Sequence, residues 1–213
     1  MSRRPGGRRG RSRGQSLVEF SVLVPAFMLL LFGMLEFGFV FTHNLTLEYA
    51  TREGARTGAA LADGNQSLLT CNGDGTSANP GIDAQIIAAV ERVLNSPGSP
   101  ISSNMVHVTA INIWRNDPAN PGIPVAGTVN TWTYSAGNGP PVDTKNLDFI
   151  PPGSPVWKPC TRNNGANPDS IGVSLTYDYQ MVTPLSAIAR FFGGGASTGI
   201  ISMADRSVMA LNP

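Results

Sequence analysis

The sequence predicts an α+β chain, in which a long N-terminal transmembrane helix continues into an extracytoplasmic domain with a small antiparallel sheet. Two observations favour this fold. Residues 17–41 form an apolar run long enough to span a bilayer. Residues 173–182 alternate between apolar and polar side chains, as a half-buried strand does. The expected organisation is a basic leader at 1–14, a helix at 15–62 with its membrane part at about 17–41, and a domain at 63–213.

The leader carries most of the charge asymmetry of the chain. Its fourteen residues contain six of the fifteen Lys and Arg residues and no acid, which leaves nine basic against fourteen acidic residues in the rest. This balance argues against nucleic-acid binding by the rest of the chain. Because basic residues flank membrane helices on the cytoplasmic side, we expect a cytoplasmic N-terminus and an extracytoplasmic domain.

The apolar run from Leu17 to Phe41 predicts a membrane-spanning helix. At about 1.5 Å per residue it reaches roughly 37 Å, enough for the hydrocarbon core with some tilt. A cleaved secretory signal is the alternative, but such signals have apolar regions of about 7–15 residues followed by a small-residue cleavage site. Glu36 lies near the outer end of the run, where a solvated carboxylate at the interface is favoured over a functional intramembrane acid.

A sharper pattern lies where the leader meets the helix. Gly14 closes the basic leader, and Glu19 follows five positions later, at the start of the apolar run. This junction resembles the processing site of type IV prepilins. The resemblance implies cleavage between Gly14 and Gln15 by a prepilin peptidase, which would make the glutamate the fifth residue of the mature chain.

A longer set of residues is similar to the TadE-like family, whose members are prepilin-like components of the tight-adherence (Flp) pilus machinery. The residues that carry this resemblance are Gly14–Phe20, Val24-Pro25, Leu31-Phe32-Gly33, Glu36-Phe37-Gly38 and Ala50–Arg56. The resemblance extends to about Ala62, and the strand that ends at Thr183-Pro184-Leu185 adds a weaker likeness. Residues 64–169 are longer and richer in Gly and Pro than the family pattern, so no role transfers to them.

The resemblance implies a pilin-like (pseudopilin) structural or assembly component, anchored in the cytoplasmic membrane by its N-terminal helix. The implied partners are the lipid bilayer, the prepilin peptidase, other pilin-like subunits and the pilus assembly platform. It also implies that Glu19 pairs with the new α-amino group at Gln15 of a neighbouring subunit and so sets the register of packed helices. The alternative is that Glu19 only reaches the cytoplasmic interface. A filament subunit and a membrane-resident assembly factor both fit this pattern.

The helix is expected to continue beyond the membrane to about Ala62, since no proline interrupts 42–62. Ala50, Gly54 and Gly58 form a stripe of small residues at every fourth position. Each glycine costs about 1 kcal/mol relative to alanine in a helix, so we expect close packing on this stripe. The protein's own sheet is favoured as the packing partner, and a neighbouring subunit's helix is the alternative.

The remaining elements follow from local patterns. Asp83–Leu94 predicts an amphipathic helix with Asp83 as its cap. Expected strands are Met105–Trp114, Gly127–Tyr134, Val173–Val182 and Thr198–Leu211, with a bulge between Ala110 and Ile111. The Gly- and Pro-rich stretches Asn95–Pro100, Asn116–Gly127 and Ser135–Pro168 predict surface loops.

A short helical turn is expected after Val182, with Thr183 as its cap and Pro184 at its first position. It ends before Gly193 and presents four apolar side chains, Leu185, Ile188, Phe191 and Phe192. We expect them to cover the open sheet, and a contact with the membrane or a partner is the alternative.

The chain has two cysteines, Cys71 and Cys160. Both follow the apolar run, and neither belongs to a CxxC or His-rich pattern. A single disulfide in an oxidising compartment is therefore favoured over two free buried thiols.

The sequence offers little material for catalysis. His43 and His107 are its two histidines, so we expect no His-based metal site, no Ser-His-Asp arrangement, no cofactor, no small-molecule substrate and no enzyme. The spacing of Asn72, Asp74, Thr76 and Asp83 is similar to that of a calcium loop, although an ordinary Gly/Asn turn is favoured. The alternatives to a pilus component are a membrane-anchored adhesin or ligand-binding module, with the long Gly/Pro loops as its working part, and an extracytoplasmic enzyme.

Overall fold

The computed structural model describes residues 15–61, 81–185, 187 and 199–211. The fold is α+β, as predicted, with a long apolar N-terminal helix and an antiparallel sheet. The helices are α1 (Gln15–Leu61) and α2 (Ile82–Leu94), and the strands are β1 (Val108–Asn116), β2 (Pro124–Tyr134), β3 (Pro141–Val142), β4 (Lys145–Asn146), β5 (Phe149–Ile150), β6 (Ser170–Gln180) and β7 (Ile200–Ala210). Two 3-10 turns lie at Met105–His107 and Pro159–Thr161.

The described residues fall into two compact units. The N-terminal unit contains residues 15–38 of α1 together with 181–185 and 187. The sheet unit contains residues 39–61 of α1, residues 81–180 and residues 199–211.

In the N-terminal unit, α1 is apolar and open to its surroundings. By length and composition α1 can cross a membrane, and its most apolar 18-residue window has a mean hydropathy of 2.2 with none of it buried. A helix that is apolar on all sides and uncovered by protein is typical of a membrane span. The helix therefore suggests a single-pass membrane anchor.

In the sheet unit, five strands form one antiparallel sheet in the order β5-β2-β1-β6-β7, and β3 and β4 form a separate hairpin. Ile111 on β1 lies opposite Leu175 on β6, and Leu175 lies opposite Asp205 on β7. Because side chains alternate along a strand, these positions share one face of the sheet. The β6 residues of that face are fully or nearly fully buried: Ile171, Val173, Leu175, Tyr177 and Tyr179.

This face packs against α2 and against the part of α1 that lies in the sheet unit. The α2 side chains Ile86, Ile87, Val90 and Leu94 are completely buried, and so are four side chains of α1: Leu47, Ala50, Thr51 and Ala55. The spacing of three and four residues in both helices explains why one stripe of each reaches the core.

Two local expectations were wrong in position. The register of β1 shifts between Val108 and Ala110 and again between Trp114 and Asn116, and not between Ala110 and Ile111 as predicted. α2 begins at Ile82, and its N-cap is Gly81, which makes no side-chain capping bond. Asp83 lies inside the first turn and is therefore not the cap.

The long Gly- and Pro-rich stretch at 135–168 is not simply a surface loop. It contains β3, β4 and β5, and it contributes the buried side chains of Leu147, Phe149 and Trp157. Phe149 packs edge-on against Tyr134 of β2 at a centroid distance of 5.5 Å. The composition was a poor guide here because a few large apolar residues are enough to bury a segment with many turns.

Candidate functional site

The predicted processing junction lies at the start of α1. Gly14 is outside the described residues. Gln15 Nε2 donates to Glu19 Oε1 at 3.1 Å, and both side chains are exposed on α1. The carboxylate thus lies one helical turn from the residue that would become the new N-terminus.

Glu36 is the buried acid of the N-terminal unit. Only 4% of its surface is exposed, and its carboxylate oxygens accept hydrogen bonds from the backbone N–H groups of Val182 (3.2 Å) and Thr183 (2.9 Å). The expectation of a solvated carboxylate at this position is therefore wrong. The chain that follows β6 covers Glu36, a contact 146 residues away in sequence that no local pattern indicates.

The turn after β6 has the capping geometry that its sequence predicts. Leu185 N–H points to the Thr183 side-chain oxygen at 3.4 Å, with Pro184 between them. The predicted apolar residues Ile188, Phe191 and Phe192, and Gly193 after them, lie outside the described residues.

The small-residue stripe of α1 packs against other elements of its own chain. A Cβ atom at Gly54 would be 2.6 Å from Val90 Cγ2 and 3.3 Å from Val173 Cγ1. A Cβ atom at Gly58 would be 2.7 Å from Ile171 Cδ1. Ala50 is completely buried. In the described part of the chain, side chains of α2 and β6 therefore pack against the small-residue stripe.

A buried polar cluster ties the Gly- and Pro-rich segment to α2. Arg162, whose side chain is 1% exposed, donates to Asp83 Oδ1 at 2.6 Å and lies 4.3 Å over the Trp157 ring. Asn130 Nδ2 donates to Asp83 Oδ2 at 3.1 Å and to the carbonyl of Trp157 at 2.8 Å. Sequence reasoning missed this cluster, and the one signal available was a lone arginine among Gly, Pro and Asn residues.

The ion pair between Asp83 and Arg162 also concerns the calcium-like spacing found in the sequence. Asn72, Asp74 and Thr76 lie outside the described residues, and Asp83 pairs with Arg162. Among the residues that the structure describes, no group of three His, Cys, Asp or Glu side chains could hold a metal ion.

The predicted disulfide involves one residue beyond the described ranges. Cys160 lies in the 3-10 turn Pro159–Thr161, two residues before Arg162, whereas Cys71 is outside the described residues. The Cys71–Cys160 bridge stays a prediction.

Both histidines pack against aromatic residues of β6. His43 is buried, with ring centroids 5.6 Å from Tyr177 and 4.9 Å from Tyr179, and its Nδ1 lies 2.8 Å from the Phe39 carbonyl. His107 meets the edge of Tyr177 at 6.3 Å. Burial raises the pKa of Tyr177. These contacts give His43 a packing role where α1 meets β6.

A cleft of about 470 Å³ opens between the end of α2 and the β3–β4 hairpin, and it includes Arg92 and Lys145 in its lining. Beside them, the buried Glu91 accepts the backbone N–H of Asp148 at 2.8 Å. Burial raises the pKa of Glu91 to about 7, although that hydrogen bond offsets part of the effect. The Glu91 carboxyl group therefore connects α2 to the segment between β4 and β5, and its protonation state changes in the neutral pH range.

Comparison with known protein families gives a match to the N-terminal part of the chain. The family model described as TadE-like protein matches residues 14–56, a range that includes Gly14, Glu19 and Gly54. No curated protein and no solved structure matches the chain. Over residues 14–56, this chain is therefore similar to the TadE-like family, as its sequence predicts.

Proposed function

We propose that this protein is a pilin-like component of a tight-adherence pilus system, held in the cytoplasmic membrane by α1. The observation that carries the proposal is the TadE-like match over residues 14–56, which coincides with an exposed apolar helix preceded by a basic leader. In this proposal the leader stays in the cytoplasm, since six arginines precede the helix. The sheet unit is then extracytoplasmic.

The first step of the proposed role is removal of the leader. Cleavage after Gly14 leaves α1 in the membrane, because the apolar segment lies entirely on the mature side of the junction. Intact mass and N-terminal sequencing of the membrane-bound protein should show a chain that starts at Gln15. Cells without prepilin peptidase should retain the leader. A full-length chain in cells with an active peptidase would contradict the pilin-like role.

The second step concerns Glu19. A carboxylate in low-dielectric surroundings is costly unless it is paired, and so is an amine just inside the membrane boundary. Cleavage would create an α-amino group at Gln15, and a neighbouring subunit's amine could pair with Glu19. Such pairing would set the axial register of neighbouring helices. The partners would be other pilin-like subunits and the assembly platform.

The test compares two glutamates of α1. Glu19→Gln should leave cleavage and membrane insertion nearly normal while reducing co-purification with other pilus components or incorporation into filaments. Glu48→Gln is the matched control, since Glu48 pairs with Arg52 on the surface of the sheet unit. Normal assembly by the cleaved and inserted Glu19→Gln protein would refute the role of Glu19. Comparison of sheared filaments with membrane fractions would then separate a filament subunit from an assembly factor.

A further inference from the structure

The segment that follows β6 has unusual hydrogen bonding for a surface turn. Glu36 accepts the backbone N–H groups of Val182 and Thr183, Pro184 has no N–H, and Leu185 N–H points to the Thr183 hydroxyl. From residue 182 to residue 185, each backbone N–H group therefore has an acceptor within the chain. A turn in water does not need acceptors from its own chain, because water accepts from its N–H groups. In a bilayer the chain itself must satisfy them.

The position of Glu36 places this turn beside the apolar part of α1. Glu36 lies five residues before the end of the apolar run at Phe41, which corresponds to roughly 7 Å along the helix. Its neighbours Met34 and Phe37 are exposed, and so is the side chain of Val182, at 72%. The turn thus continues the apolar surface of the membrane span.

We propose that residues 181–185 form a second membrane contact, which inserts into the outer leaflet beside α1 with Glu36 holding it in place. The occupant of this surface is lipid. The proposal rests on the membrane anchoring by α1 proposed above. An exposed valine alone would mean little. Glu36, itself buried, accepts two backbone N–H groups beside that valine, and a turn in contact with lipid needs such acceptors because an unsatisfied N–H group is costly there.

Three exposed valines allow a matched test in the full chain reconstituted into phosphatidylcholine vesicles. Val182→Cys probes the turn, Val22→Cys probes the membrane span, and Val156→Cys probes the sheet unit; the native side chains are 72%, 69% and 59% exposed. Each cysteine is labelled with a nitrobenzoxadiazole fluorophore and quenched with doxyl-labelled phosphatidylcholine. The unsubstituted chain is treated in parallel to measure any labelling of the native cysteines.

We expect quenching at 182 and 22 to be several-fold stronger than at 156. Alkylation by a membrane-impermeant maleimide before labelling should be correspondingly slower at 182 than at 156. Quenching at 22 with none at 182 would overturn the second contact and leave the anchor intact. Absence of quenching at 22 would overturn the anchoring itself.

The role of Glu36 is tested in the Val182→Cys background. Glu36→Ala removes both acceptors and should reduce quenching at 182 to the level at 156, while the same change in the Val22→Cys background should leave quenching unchanged. Glu36→Gln keeps one carbonyl acceptor and should retain most of the lipid contact. Unchanged quenching at 182 in the Glu36→Ala chain would show that Glu36 does not hold the turn.

Discussion

Replacing Gly54 with alanine should destabilise the sheet unit, although alanine is the better helix former. Alanine favours the helix by about 1 kcal/mol over glycine. The new Cβ, however, would lie 2.6 Å from Val90 Cγ2, closer than real Cβ contacts allow. Valine has little rotameric freedom in a helix, so the backbone must move instead. Overpacking of this kind costs about 1–3 kcal/mol, which leaves a net loss of about 1 kcal/mol.

Two other glycines of α1 provide controls for this prediction. A Cβ at Gly58 would meet the Cδ1 atoms of Ile171 and Ile86, the flexible ends of their side chains, so Gly58→Ala should cost less than Gly54→Ala. A Cβ at Gly38 would meet nothing within 4 Å, so Gly38→Ala should not lower stability.

Thermal unfolding of the full chain in detergent measures these differences. The three tryptophans all lie in the sheet unit, so their fluorescence follows its unfolding. A loss of about 1 kcal/mol corresponds to a Tm about 2–4 °C lower for a chain of this size. A Gly54→Ala protein as stable as the unchanged chain would refute the close packing of α1 on α2 and β6.

Three further predictions concern residues that follow α1. The raised pKa of Glu91 means that the folded state holds its proton more tightly, so this contribution to stability is full below about pH 4.5 and is lost as the pH rises through about 7. The loss of stability over this pH range is at most about 3 kcal/mol, and solvent in the cleft reduces it to about 1–2 kcal/mol. Urea unfolding at a series of pH values measures this loss, and Glu91→Gln should abolish it. Asp83→Ala leaves the Arg162 charge buried without its partner and should cost about 3–5 kcal/mol, whereas the double variant Asp83→Ala/Arg162→Met should recover much of the lost Tm. A Cys71–Cys160 bridge closes a loop of about ninety residues worth about 4 kcal/mol, and alkylation of both thiols after non-reducing denaturation would contradict it.

The elements that the sequence predicts well are those with a long local pattern. α1 was predicted from an unbroken apolar run and ends one residue before the expected Ala62, whereas β6 was predicted from alternation at Val173–Val182 and lies at Ser170–Gln180. α2 was also predicted within one residue of its start. Amphipathic periodicity reports which side of an element is buried, but it does not identify the partner on that side.

The missed features depend on contacts between residues far apart in the chain. A carboxylate at the start of a helix has the same local signature whether it caps the helix or meets a distant arginine, so Asp83 was misassigned. A glutamate near the end of an apolar run is solvated or buried depending on which distant residues contact it. Glu36 accepts hydrogen bonds from Val182 and Thr183, and no local sequence pattern indicates these contacts.

The packing of α1 also limits where a neighbouring subunit could bind it. In the sheet unit, α2 and β6 cover the small-residue stripe, and the exposed side carries the ion pairs Glu48–Arg52 and Glu53–Arg56. Exposed pairs of this kind are screened by solvent and contribute little to stability, and they present a hydrated surface to a partner. In the apolar part of α1, the most apolar 18-residue window contains no buried residue. Under the proposed function, helix-to-helix contacts between subunits therefore belong to the membrane part of α1, the part in which Glu19 lies.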